Sequence, residues 1–193
     1  MSGLLRIFSS LIIAACLGLA LTFFSIRQDY GFSALKSGPW TAWPKVGTDD
    51  VDPYATAALA RSGELTLGSA EGLSFLARTD SHGALLSGHC TYHVVGALPA
   101  ARYWTLTALT PSGQLVDNAA HRLNFTSQEI LRQVNAPIEI AVAPAVQPGN
   151  WLPVQRNADF VLMLRLYDTA MSATTAAGPE IALPQIERQE CAS

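Results

Sequence analysis

Hydrophobic positions fall into two regimes along this chain. Residues 7–26, IFSSLIIAACLGLALTFFSI, carry no charge between Arg6 and Arg27. As a helix this run spans roughly 30 Å, the thickness of a bilayer's hydrocarbon core. Beyond Gly63 the period shortens to two. Apolar and polar residues alternate in GLSFLART (72–79), GHCTYHVVG (88–96), ARYWTLTALT (101–110), IEIAVA (138–143), DFVLMLRLY (159–167) and QIERQE (185–190), with shorter runs at ELTLG (64–68) and QLVD (114–117). Turn sequences TDSHG, TPSG and QPGN separate several of them. Short strands at this spacing predict an all-β antiparallel sandwich, jelly roll or barrel.

Two stretches read as short helices. Asp52 as N-cap, Pro53 at the first helical position and Gly63 as a stop predict a helix over 53–62. In TSQEILRQ (126–133), Thr126 and Glu129 stand at capping-box spacing. The segment between the apolar run and the first helix, including GPWTAWPKVGT, holds Pro39 and Pro44, which forbid a long helix. Its Trp40 and Trp43 either sit at a membrane interface or cap the domain.

The apolar run is longer than a secretory core segment and stays apolar past Ala14 and Ala15, so it reads as an uncleaved signal anchor. Ile13-Ala14-Ala15-Cys16 is a competing lipoprotein-type processing site, although Leu17 to Phe24 remain apolar where such proteins turn polar. Arg6 favours a cytoplasmic N-terminus, an asymmetry weakened by Arg27 and Lys36. The expected organisation is a cytoplasmic tail (1–6), a transmembrane anchor (7–26), a juxtamembrane linker (27–48) and an exported sandwich domain (49–193), on the extracytoplasmic side of the cell membrane.

Composition narrows the function classes. Hydrophobic residues make up 49% of 193 and charged ones 14%, enough apolar material for a core and against disorder. A net charge of -3 gives no basic footprint for nucleic acid. Beyond the anchor, Cys90 and Cys191 remain; in an oxidising compartment they make one disulfide, and the alternative is two separate thiols.

Candidate chemistry is sparse. HCTYH suggests His89, Cys90 and His93 as metal ligands. On a strand, however, the imidazoles stand about 13 Å apart and Cys90 points the other way, so no metal is expected. No nucleophile elbow, P-loop, zincin helix or dinucleotide fingerprint occurs, and no cofactor is implied. Asp49, Asp50 and Asp52 read as helix N-terminal charge.

The run from Asp159 puts Phe160, Leu162, Leu164 and Leu166 on one face and Val161, Met163, Arg165 and Tyr167 on the other, as in a central strand covered on both sides. A guanidinium there needs a partner, and Asp117, Glu139 and Glu187 are candidates. The sharper alternative is a ligand pocket of Arg102, Trp104, Asn150, Trp151, Arg165 and Tyr167, where an indole stacks on a sugar or other planar ligand and an arginine holds an anion.

RYWTLTAL, GNWLP, FVLMLRLYD and LPQIER, in this order, resemble the bacterial domain of unknown function 1214 family, over about residues 64–190. GPWTAWPKVGT resembles its short membrane-anchored members. The resemblance implies a jelly-roll-like domain with no established activity and no catalytic residues to carry over. Two loops depart from the family pattern, at Ala108-Leu109-Thr110 and around Asn135-Ala136-Pro137. Together these features point to an envelope protein that binds a partner or small ligand without catalysis. The alternative is a hydrolase acting on an envelope carbohydrate.

Overall fold

The structure is a computed structural model that describes residues 2–27, 34–46, 48–51, 53, 56–57, 60, 67–68, 71–132, 137–169 and 181–191. It opens with helix α1 (Ser2–Arg27). The stretch Gly3–Phe24 has a mean hydropathy of 2.3 and is not buried at all, so it is long and apolar enough to cross a membrane.

The strands form two sheets. The larger runs in the order β1 (Leu35–Ser37), β2 (Trp40–Ala42), β3 (Gly72–Ala77), β9 (Val161–Thr169), β5 (Ala101–Leu109), β6 (Asn124–Thr126). The smaller runs β10 (Gln185–Cys191), β4 (Cys90–Gly96), β7 (Ile138–Ala143), β8 (Trp151–Pro153). Alternation along each strand aims one set of side chains at a shared core. Phe75, Trp104, Leu106, Leu162, Leu164 and Leu166 come from one sheet, and Tyr92, Val94, Ile140, Val142, Leu152 and Ile186 from the other. The protein is therefore a β-sandwich preceded by an apolar helix. Among the described residues all strand pairs are antiparallel except β7 with β8, which is parallel.

The central-strand expectation holds for β9. It lies between β3 and β5, with its even-numbered leucines in the main core. Val161 and Met163, on its other face, form a second buried cluster with Leu109. The disulfide expectation holds as well: Cys90 and Cys191 are bonded where β4 and β10 run side by side.

Three local readings are corrected or extended. Residues 126–132 do not start a helix, residue 133 lying outside the described residues: Thr126 is the last residue of β6, and 127–129 form a turn. The capping-box pair does meet, Thr126 Oγ1 to Glu129 Oε2 at 3.0 Å, but it closes a turn, because Ile130 folds inward onto the core and Leu131 is held by Asn150. The segment expected as a linker contributes the hairpin β1–β2, and Trp40 caps the core with no exposure. QLVD supplies a single bridge, Leu115 to Leu109, rather than a strand. The helix over 53–62 falls mostly outside the described residues, Asp52 included; Pro53, Thr56, Ala57 and Ala60 are helical. Of ELTLG, only Leu67 and Gly68 are described, in neither helix nor strand.

The ends of the domain are fastened together. Trp40 Nε1 donates to the Pro184 carbonyl at 2.7 Å, and Ser37 Oγ to that of Ile181 at 2.6 Å. The turn TDSHG is built on Asp80, which is 2% exposed. One of its oxygens accepts from the amides of His82 and Ala84, and the other pairs with Arg188 of β10 at 2.9 Å.

Candidate functional site

On β4, Tyr92 and Val94 are buried in the core, so His93 between them faces outward. On β7, Ile138, Ile140 and Val142 face the core, which turns Glu139 and Ala141 outward. The register sets Ala141 opposite His93 and Glu139 opposite Val95, so the carboxylate sits diagonally across from the imidazole. They meet at 3.2 Å, Nδ1 to Oε1. With Nδ1 engaged, Nε2 remains for a ligand. The two side chains are 32% and 61% exposed, so the contact adds little stability and is better placed to orient the ring.

These residues belong to an open cleft of about 430 Å³, within the usual range for small-ligand sites. The sheet contributes His93, Glu139 and Ala141; the chain before β7 contributes Leu131, Arg132 and Pro137; the turn after it contributes Pro148, Gly149 and Asn150. In QPGN, Gly149 has φ 77°, a conformation open to glycine. That turn delivers Asn150 into a buried position, 9% exposed. Its Oδ1 accepts from the Leu131 amide at 2.8 Å, while Nδ2 donates to the carbonyls of Leu131 (2.9 Å) and Glu139 (2.8 Å). The Asn150 amide thus ties the two loops to β7 and shapes the cleft.

The six residues expected to share a pocket are divided among several surfaces. Trp104 faces the core, opposite Leu166. Arg165 lies opposite Thr105 and Ser74, on the other face of the same sheet. Tyr167 is on that outer face too, its ring 5.8 Å from that of Tyr103. Arg102 is exposed at the strand end and pairs with Asp168 at 2.9 Å. Trp151 belongs to the smaller sheet, where its indole N–H donates to the Ala143 carbonyl at 3.0 Å. Of the six, Asn150 lines the cleft. Of the acids named as partners for Arg165, Glu139 stands against His93 and Glu187 lies on β10, both in the smaller sheet.

Sequence reasoning passed over Arg132 and over the pairing of His93 with Glu139. Its signal was the lone acid in IEIAVA and the lone histidine in YHVV, both outward by parity; their adjacency depends on the β4–β7 register. His89 is exposed in the turn before β4, away from the strand geometry assumed for it. Among the described residues no group of three histidine, cysteine or acidic side chains is placed to hold a metal.

The family profile described as "Protein of unknown function (DUF1214)" matches residues 71–171, from just before β3 through the end of β9. The chain belongs to this family. Its matched region holds most of both sheets and every residue lining the cleft. None of the curated proteins matches the chain. The solved structure of the VPA0106 protein from Vibrio parahaemolyticus is similar over 91% of this chain and 43% of its own, with a TM-score of 0.61 at 16% identity. An uncharacterized protein from Burkholderia cenocepacia aligns over 77% of this chain and 46% of its own, with a TM-score of 0.43 at 18% identity. The chain spans under half the length of either. The first likeness supports the fold.

Proposed function

We propose that this chain is a membrane-tethered binding module whose folded domain lies outside the cytoplasm and takes a partner or small ligand at the His93–Glu139 cleft. The observation that carries this reading is the combination of an unburied apolar helix with a disulfide in one chain. Leu4, Phe8, Leu11, Leu17 and Phe24 of α1 are all more than half exposed, and a bilayer would cover them. A disulfide joining β4 to β10 persists in an oxidising compartment, which is the far side of the membrane from Arg6. Residues 1–6 are then the cytoplasmic tail and 7–26 the signal anchor.

The lining favours binding over hydrolysis. Glu139 is the one carboxylate among the described lining residues, whereas glycoside hydrolysis ordinarily uses two. In this reading Asn150 shapes the cleft, and Trp104, Arg165, Tyr167, Arg102 and Trp151 serve the framework of the sheets.

Cells carrying the full chain with a C-terminal tag provide the test. The tag should fractionate with membranes and be removed by protease added to spheroplasts, with Cys90 and Cys191 unreactive to thiol reagents until reduced. A tag protected in spheroplasts and degraded only after lysis would overturn the orientation. For the cleft, a compound that raises the melting temperature of the oxidised full chain should do so far less in His93→Ala.

A further inference from the structure

Resting on that reading of the cleft, we infer that its ligand is a neutral, hydroxyl-rich ring compound, the size of one or two sugar residues. Charge comes first. Arg132 and Glu139 both line the cleft and have opposite signs. An anion drawn to Arg132 meets the Glu139 carboxylate. A cation drawn to Glu139 meets Arg132. A ligand without charge suffers neither repulsion.

Hydrogen-bonding capacity comes second. Arg132 brings a planar fork of N–H donors, and Glu139 keeps one carboxylate oxygen beyond the 3.2 Å contact with His93. His93 contributes Nε2. Adjacent hydroxyls on a sugar ring both donate and accept, at the spacing that planar bidentate side chains match. The Asn150 amide is already committed to Leu131 and Glu139, so it acts as a positioning residue, fixing the loop that carries Arg132.

The apolar surface is third. Leu131 is 72% exposed at the cleft, and Pro137 and Pro148 line it as well. These supply a C–H surface against which the apolar face of a sugar ring loses water. About 430 Å³ of open space admits one or two rings rather than a long polymer segment.

The oxidised full chain in lipid nanodiscs, free of glycoside detergents, would be titrated calorimetrically with four probes: cellobiose, N,N'-diacetylchitobiose, glucuronate and inorganic phosphate. Saturable binding of a neutral disaccharide is expected, weakened at least about tenfold by Arg132→Ala and by Glu139→Gln, and less by Leu131→Ala. Unchanged melting of the variants would show that they fold. Binding of glucuronate or phosphate with neither disaccharide overturns the ligand class and leaves the cleft as the site. Disaccharide binding that survives both polar substitutions overturns the site, and no binding of any probe overturns the class and the site together.

Discussion

Trp40 and Pro184 are joined by a 2.7 Å hydrogen bond from the indole N–H to the backbone carbonyl, across 144 positions of sequence. Trp40 is fully buried, and its hairpin is the first strand pair after α1. Its contact therefore links the chain nearest the apolar helix to the segment leading into β10. Replacing Trp40 by Phe keeps most of the packing but strands the carbonyl, at about 1–3 kcal/mol. Replacing it by Ala also opens a cavity, at about 3–5 kcal/mol. Urea unfolding of the two variants should show this order; a Phe variant as stable as wild type would mean that the hydrogen bond contributes nothing.

The disulfide closes a loop of 101 residues and sets β10 beside β4. On the chain-entropy account its removal costs up to about 4.7 kcal/mol. Cys90→Ser with Cys191→Ser should lower the melting temperature of the non-reduced protein to that of the reduced wild type. Thiol titration of oxidised, unfolded wild type should find Cys16 alone; three reactive thiols would contradict the bond.

Gly88 has no room for a side chain. A Cβ built there collides with the Gln155 carbonyl and touches that of Ala158, which already accepts the Gly88 amide at 2.9 Å. Both contacts are backbone, so neither can swing aside. Gly88→Ala should cost at least about 2 kcal/mol, toward the upper end of overpacking effects. Chemical denaturation measures it, and a neutral result would require the 155–158 loop to shift freely.

How far this fold was legible follows from particular residues. β4, β5, β7, β9 and β10 each run six residues or more, long enough for alternation to show, and each was marked by its sequence. β1, β2, β6 and β8 have three residues apiece, too short to carry a period, and exist because a neighbouring strand pairs with them. The capping-box pattern at Thr126 was present but outweighed by tertiary contacts of Ile130 and Leu131. Parity set Arg165 on the face of β9 away from its even-numbered leucines and His93 on the face away from Cys90. It did not tell pairing and register, which set Trp104 and Arg165 on opposite faces of the paired strands β5 and β9 and join His93 to Glu139.

Asp80 and Arg188 form an ion pair with one member buried and the other side chain 32% exposed. Removing one partner of a fully buried pair costs about 3–5 kcal/mol; the exposure of Arg188 lowers the expectation for Arg188→Ala to about 2–3 kcal/mol. Arg188 also donates to the Leu85 carbonyl at 3.2 Å, so the loop preceding β4 should loosen with it. Hydrogen exchange at Ala84 and Leu86 would report that loosening. Protection unchanged in Arg188→Ala would assign the turn's stability to Asp80 and the backbone alone.

Asn150 offers the sharpest separation of shape from chemistry in the cleft. Its amide makes three hydrogen bonds, two of them donated to carbonyls. Asn150→Ala leaves those groups without their partner, at about 2–3 kcal/mol. Asn150→Asp is nearly the same size yet turns both donors into acceptors and faces a carboxylate toward two carbonyl oxygens, so it should destabilise more. In Asn150→Ala the Leu131 amide, which donates to Asn150, should exchange faster, and the loop carrying Arg132 should loosen. Ligand affinity would then fall without any contact to the ligand being removed. Restoring the loop by a bound ligand should slow exchange at Leu131 in Asn150→Ala. If exchange there is already as slow as in wild type, the loop is held by other contacts and Asn150 is not its anchor.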